Sequence, residues 1–391
     1  MSGIINQSFR FNLRVLKAFY LYPEPEETFL HKIRTYVLYV LFVVTVPVIS
    51  IIHLLTSDDL NVERANYNAA FLAQTTSFVT KFLPFVVNGQ NIRKCINYFE
   101  NFKVERENHQ MIINECIRIC RRNTSAFYIC AVGAVGSWAT KPLFWKGRNF
   151  PVDVWWPFDA TTDFSTYCCV YLFVAAGPVF ASLATGVIDP LIAGLCYHAT
   201  SQMKILKDNL RHLSDYADEE ISREKVDRSL VKSSKQKIIS TMIKKCVDHH
   251  ETILKFVKEY EVCFSWVVFS QIAGSVFVVC FCCLQMSKVD AFGYYVFQLA
   301  VYFSVILVEI YFYCYYGSTI SEECDSLTDA IYMAEWYNYD VKIQKALLTL
   351  MERSKKPVVV TAGKTVDLSL LTFTTILRRS YSLLAVLKNY Q

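Results

Sequence analysis

The sequence predicts an all-α membrane protein with seven spanning helices. Hydrophobic residues make up 53% of its 391 positions and charged residues only 19%, which is more apolar surface than a soluble domain of this size can bury. The apolar residues are also contiguous, and a run of about 20 of them is long enough to cross a bilayer as a helix. Seven runs near that length are present, at 36–55, 69–87, 125–140, 164–188, 262–287, 291–320 and 368–387.

The charged residues inside these runs are few. The second run contains only Lys81, the sixth only Glu309, and the seventh carries Arg378 and Arg379 at its centre. A charge within a membrane is costly and usually marks a polar partner or a water-filled path. Adjacent arginines on a helix point about 100° apart, so we do not expect both to face lipid. Glu309 is the intramembrane carboxylate expected to be available as their counter-ion, and a structural ion pair and a pore lining are equally open.

The distribution of basic residues predicts the orientation. The segments 1–33, 88–123, 198–261 and 317–365 contain 30 Lys and Arg residues, against five in the loops between them. Basic loops stay on the cytoplasmic side during insertion, so the N-terminus is expected inside and, with seven spans, the C-terminus outside. The net charge of +5 is then explained by cytoplasmic faces beside anionic membrane lipid, and no nucleic-acid partner is needed.

The charge and hydropathy pattern divides the chain into six segments. The stretch 198–261 carries apolar residues at helical spacing among charges, which predicts amphipathic helices below the membrane with a linker near 214–235. A similar stripe follows in 321–365. These helices are expected to form a cytoplasmic anchor bundle that suits subunit assembly, or else one that only closes the monomer. The full division is a cytoplasmic N-terminal segment 1–33, helices one to four in 34–197, anchor helices in 198–261, helices five and six in 262–320, an anchor segment 321–365 and helix seven in 366–391.

Aromatic residues with a few hydrogen-bonding groups mark the outer halves of several predicted spans. A pocket built from such residues would suit a small volatile or lipophilic ligand, although aromatic anchors at the membrane interface would look similar. The candidate ligand-binding residues are Phe71, Thr75, Phe78, Ser137, Trp138, Tyr171, Gln298 and Tyr302.

The end of the seventh run carries a second candidate site. Ser382 and Val386 share one helix face with Asn389 or Tyr390. This stripe of small, apolar and then polar side chains is typical of a narrow gate whose apolar ring controls wetting. Ordinary helix packing is the alternative.

Catalytic chemistry is not indicated. The stretch Gly363-Lys364-Thr365 resembles the end of a phosphate-binding loop, but Val358 occupies the position where that loop needs a glycine. The sequence contains no nucleophile elbow, HExxH motif or kinase signature. We therefore expect no enzyme activity, no cofactor and no bound metal.

The C-terminal stretch resembles the signature of insect odorant receptors. The residues that carry the resemblance are Lys356-Pro357, Thr361-Ala362-Gly363-Lys364, Leu368-Ser369-Leu370, Thr372-Phe373, Arg379-Ser380-Tyr381-Ser382 and Val386-Leu387. The length and the predicted topology agree with that family over the whole chain.

The resemblance implies a subunit of a tetrameric, odorant-gated, non-selective cation channel in the plasma membrane of olfactory sensory dendrites. The last helix would line the pore, with Val386 at the gate and Asn389 and Tyr390 just outside it. At this length the chain is similar to a ligand-tuned receptor that conducts together with a longer co-receptor. A gustatory receptor of the same superfamily is the alternative, although its usual terminal Thr-Tyr-x5-Gln is not matched here, since Ser380-Tyr381 is followed by no glutamine at the matching place. A transporter is a further alternative, but the internal repeats expected of one are not evident.

Overall fold

The computed structural model describes residues 3–23, 28–56, 62–102, 106–140, 142, 148–224, 231–288 and 294–389. Within these ranges the chain is almost entirely helical. The helices are α1 Ile4–Ala18, α2 Phe29–Tyr39, α3 Thr45–Thr56, α4 Val62–Val87, α5 Gly89–Asn97, α6 Glu107–Thr140, α7 Phe164–Arg211, α8 Leu213–Glu224, α9 Val231–Lys288, α10 Tyr294–Asp325, α11 Leu327–Met333, α12 Val341–Ser354 and α13 Leu370–Asn389.

Each predicted apolar run falls on a helix, apart from residues at the ends of the last two runs. The first run is a single rod in which the π-helical turn Val40–Val44 joins α2 to α3. Among the described residues, five helical stretches are long and apolar enough to cross a membrane: Phe29–Thr56, Tyr67–Val87, Phe164–Arg211, Ser234–Gln285 and Val296–Met333. The other two predicted spans lie in α6 and α13.

Two helices are much longer than a bilayer is thick. At about 1.5 Å per residue, the 48 residues of α7 and the 58 residues of α9 extend well past a hydrocarbon core of about 30 Å. The amphipathic stretches predicted in 198–261 are therefore continuations of these two rods. The predicted linker is partly wrong, because its first half forms α8, whose buried Leu213, Ala217 and Ile221 pack it onto the bundle.

Helix α7 is the centre of the fold. It contacts α1, α6, α9, α10 and α11, and nearly every side chain from Ala184 to Met203 is buried. The helix continues through Pro178 and Pro190, although proline removes a backbone hydrogen bond and usually kinks or ends a helix. Its burial on all sides includes polar side chains such as Asp189, His198 and Gln202.

A short β-hairpin joins α12 to α13. Its strands, β1 Thr361–Ala362 and β2 Val366–Asp367, pair antiparallel. Gly363 at the turn has φ of 60°, and a Cβ there would lie 2.7 Å from Phe269, so both the backbone and the packing favour glycine. The hairpin is held on α9, where the Gly363 N–H donates to the Ser265 carbonyl at 3.0 Å and the Thr361 N–H donates to Glu261 Oε1 at 2.9 Å. The Thr-Ala-Gly-Lys motif thus determines where α13 begins.

Candidate ligand-binding site

A cavity of about 180 Å³ lies among α4, α6, α7, α9 and α10. Its walls are mainly apolar and aromatic. An apolar cavity of about 150 Å³ is large enough to hold benzene, so this space fits one ring with small substituents. The aromatic side chains that line it are Tyr67, Phe71, Phe78, Phe127, Trp138, Phe281 and Tyr302.

The structure brings six of the eight predicted ligand-binding residues to this cavity. These are Phe71, Thr75, Phe78, Trp138, Gln298 and Tyr302. The other two, Ser137 and Tyr171, lie outside its lining. The Ser137 hydroxyl donates to the Ala134 carbonyl at 2.8 Å, and the Tyr171 hydroxyl donates to the Ala139 carbonyl. A role of any of the eight in ligand binding stays a prediction.

Aromatic contacts close one end of the cavity. The Phe71 and Trp138 rings stack with centroids 5.8 Å apart. Trp138 Nε1 donates to the Tyr67 hydroxyl at 3.1 Å, and that hydroxyl donates to the Pro151 carbonyl at 3.3 Å. The same three rings pack against an apolar cluster that includes Val152 of the segment 148–163. This segment therefore supports three of the aromatic side chains that line the cavity.

Several lining residues were not singled out from the sequence. Gln74 lies on the face of α4 that carries Phe71 and Phe78, and Thr185 lies two turns after Pro178 on α7. On α4, the helical spacing of Gln74 from Phe71 and Phe78 could have identified Gln74 as a lining residue. The contribution of α9, through Phe281 and Cys282, had no such signal because that helix is apolar around its circumference.

Three charged side chains meet beside the cavity, and one of them, Glu309, lines it. The Lys81 ammonium lies 2.9 Å from Asp189 Oδ1 and 2.7 Å from Glu309 Oε1, and the Tyr313 hydroxyl donates to Asp189 Oδ1 at 2.7 Å. The three charged side chains are 0%, 0% and 3% exposed, respectively. We call Lys81, Asp189, Glu309 and Tyr313 the floor cluster. Such a network ties α4, α7 and α10 together, because an unpaired buried charge is very costly.

The floor cluster corrects two expectations about charges in the membrane. Glu309 binds Lys81 instead of an arginine, and Asp189 is a second buried carboxylate because α7 continues beyond the predicted end of the fourth run. Arg378 and Arg379 are exposed in the single chain. Within the part of the chain that the structure describes, neither arginine pairs with Glu309.

The predicted gate residues lie at the end of α13. Ser382 is exposed, and its hydroxyl donates to the Arg378 carbonyl at 3.0 Å. For Val386 and Asn389 the described part is the helical backbone, and Tyr390 lies outside the described residues. Helix α13 packs on α9 and α10, so the two helices that complete the cavity wall also support the candidate pore helix.

One group of potential metal ligands was not expected. Cys116, Cys120 and His198 are buried, and their ligand atoms lie within 4.8 Å of one another. His198 Nε2 is already 2.8 Å from the Ser8 hydroxyl, and its ring packs against Phe9 and Phe99. Three ligands are one fewer than a closed structural zinc site uses, so we interpret these three residues as packed interior side chains.

Membrane-length helices around an aromatic cavity are the architecture of a polytopic membrane protein that binds small molecules. The family model described as 7tm Odorant receptor matches residues 61–381. The chain belongs to the odorant receptor family, and this confirms the resemblance seen in the C-terminal stretch. The family is one of receptors and not an enzyme class.

Individual relatives agree with this assignment. Odorant receptor Or1 of Anopheles gambiae is 25% identical over 338 residues, which cover 83% of this chain and 81% of that protein. Odorant receptor 94a of Drosophila melanogaster is 26% identical over 266 residues, or 67% of this chain and 64% of that one. The solved olfactory receptor OR5 of Machilis hrabei in complex with eugenol superposes with a TM-score of 0.83 at 15% identity, over 99% of this chain and 100% of that one. That similarity confirms the all-α, seven-helix fold class.

Proposed function

We propose that the protein is an odorant-tuned subunit of a ligand-gated, non-selective cation channel, opened when a small volatile or lipophilic molecule occupies the cavity. The observation that carries the proposal is the aromatic cavity of about 180 Å³ in a member of the odorant receptor family. The solved relative that shares its fold was determined with eugenol, a ligand of the size that such a cavity accommodates.

The packing around α13 supports a route from the cavity to a pore. Cys282 and Ile306 line the cavity and belong to a buried cluster against which Phe373 and Ile376 of α13 pack. A ligand that shifts α9 or α10 thereby shifts α13 directly, because a close-packed interior transmits displacement.

The exposed face of α13 supports its role as the pore lining. Thr374, Arg378 and Ser382 are exposed in the single chain and spaced four residues apart, and the next positions on the stripe are Val386 and Asn389. Polar groups at membrane depth face protein or water in preference to lipid. In the proposed channel this stripe faces the pore, Val386 is the gate, and Asn389 and Tyr390 lie beyond it.

Assembly is proposed to occur through the end of the bundle that carries α11 and α12. Tyr332, Met333, Tyr337 and Val341 are each more than 60% exposed there, a contiguous apolar surface of the kind that partner subunits cover. The proposed partner is the odorant receptor co-receptor in a heterotetramer, with membrane lipid around it. The proposed setting is the plasma membrane of the sensory dendrite, with the N-terminus inside and the C-terminus outside.

The test is patch-clamp recording from cells that express the chain with an insect co-receptor, during a screen of volatile compounds. We expect a ligand-evoked cation current that persists in excised patches without nucleotides. Cells that express the co-receptor alone are the control. Currents that disappear when G-protein coupling is blocked would contradict the proposal, as would ligand responses that do not require this chain.

A further inference from the structure

The floor cluster lies directly below the cavity on three helices. Each helix presents lining residues and then, about one turn later, one charged residue: Phe78 and then Lys81 on α4, Thr185 and then Asp189 on α7, Ile306 and then Glu309 on α10. The three helices thus pass the cavity in the same chain direction and meet at the floor. Glu309 is the charged member that also lines the cavity.

The floor cluster holds more negative than positive charge. It combines one ammonium with two carboxylates, and the fourth member, Tyr313, is a neutral donor. Within the described ranges, no second cationic side chain pairs with either carboxylate. With both carboxylates ionised the cluster therefore carries one uncompensated negative charge. Burying such a charge is costly until a proton or a cation neutralises it.

The cavity offers a place for that cation. Lys81 donates to Glu309 Oε1, and an ionised carboxylate has about four lone-pair sites on its two oxygens, so Glu309, which lines the cavity, has the capacity to accept a further hydrogen bond. The remaining walls include the rings of Phe78 and Tyr302, and aromatic faces attract ammonium groups. A bare inorganic cation would lose its hydration shell among apolar walls, whereas an organic ammonium brings an apolar body that fills them.

We infer that the cavity selects small lipophilic amines, bound as ammonium ions whose N–H groups donate to Glu309 while their apolar body packs against the aromatic walls. This inference deepens the proposed function, on which it rests for the identity of the site. Neutral alcohols of the same shape fill the same walls but bring no positive charge to the floor cluster, which a proton must then neutralise.

The test compares benzylamine with benzyl alcohol, two probes of nearly identical shape. A charge-assisted hydrogen bond contributes about 1.5–3 kcal/mol, which corresponds to at least about tenfold in affinity. We therefore expect the purified protein to bind benzylamine at least about tenfold more tightly than benzyl alcohol, measured by ligand-induced shifts in melting temperature across a concentration series. Equal affinities, or tighter binding of the alcohol, would overturn the inference.

Two variants test which residues cause the preference for benzylamine. Glu309→Gln leaves Lys81 and Asp189 as a balanced pair, so we expect it to fold and to lose the preference for benzylamine over benzyl alcohol. Asp189→Asn removes the surplus charge but keeps Glu309, and is expected to reduce the preference. Glu251→Gln, which alters an exposed pair with Lys255 on α9, is the matched control and should change nothing. An amine preference that survives Glu309→Gln unchanged would also overturn the inference.

Recording currents alongside binding separates this inference from the proposed function. Selective binding of benzylamine without any current would refute the channel proposal and leave the ligand class intact. Currents evoked by neutral ligands, with no preference for the amine, would support the channel and refute the ligand class.

Discussion

The walls and the floor of the cavity are built on opposite principles. The walls are aromatic and aliphatic side chains from five helices, each contributing a modest increment of contact, so they select ligands by shape and total burial. The floor is four polar side chains joined by short hydrogen bonds, where the loss of one partner leaves a buried charge unpaired. The comparison teaches that the walls can vary and so change the ligand preference, whereas changes in the floor cluster are tolerated only when they leave no buried charge without a partner.

The largest expected effect comes from removing the only cation of the floor cluster. Lys81→Met leaves Asp189 and Glu309 buried within reach of each other and without a positive partner, which should cost about 3–5 kcal/mol of stability. The measurement is the melting temperature of the purified protein, together with surface expression. The control is Lys81→Met combined with Asp189→Asn and Glu309→Gln, which should recover most of the loss. A single variant as stable as the parent would show that the floor is not structurally required.

A smaller effect, confined to ligand recognition, is expected from the walls. Trp138→Ala removes a ring that stacks on Phe71 and enlarges the cavity. Losing the burial of a large side chain corresponds to about 1.5–3 kcal/mol, so the concentration for half-maximal current should rise by about tenfold or more. Tyr171→Phe, which alters an aromatic residue outside the lining, is the control. Identical dose–response curves for all three proteins would exclude Trp138 from the site.

Tyr313→Phe tests whether the floor depends on neutral donors as well as on charge. The change keeps the ring and removes the hydroxyl that donates to Asp189 at 2.7 Å. The two contacts from Lys81 remain, so we expect a loss of about 1.5 kcal/mol, less than for Lys81→Met. Thermal unfolding of the two variants side by side gives the ranking, and the reverse order would contradict this account of the floor.

The candidate gate belongs to neither the walls nor the floor of the cavity. A substitution there is therefore expected to have the smallest effect on the cavity. Val386→Lys places a charge on the proposed pore stripe and should alter conductance or ion selectivity while leaving the melting temperature and surface expression unchanged. Reversal potentials in asymmetric salt are the measurement, with parental channels recorded in parallel. Unaltered currents would remove Val386 from the gate.

Much of the fold was predictable because its signals are local. Apolar runs of spanning length identified the seven helices, and the Thr-Ala-Gly-Lys stretch indicated the family that the 7tm Odorant receptor model confirms. The fourth apolar run ends at Ile188, but α7 continues through Asp189 and Pro190 to Arg211. The Asp189 carboxylate pairs there with Lys81 from another helix, which no local pattern records.

Helix periodicity predicts which side chains share one face of a helix, and that part of the candidate site could be predicted from the sequence. Phe71, Thr75 and Phe78 share one face of α4, and the structure places that face on the cavity. Tyr171 has the same aromatic character but lies outside the lining, because whether a residue faces the cavity or a neighbouring helix depends on how the helices are rotated against one another.

By itself, the sequence determined the number of long apolar helices, the class of side chains available to a ligand and the family. Hydrophobic length and composition suffice for these, since the bilayer requires every spanning segment to satisfy its own backbone. The tertiary structure decided which faces enclose the cavity and which charges meet. Lys81 is 108 residues from Asp189 and 228 from Glu309, and only the packing of α4, α7 and α10 brings them within hydrogen-bonding distance beneath the cavity.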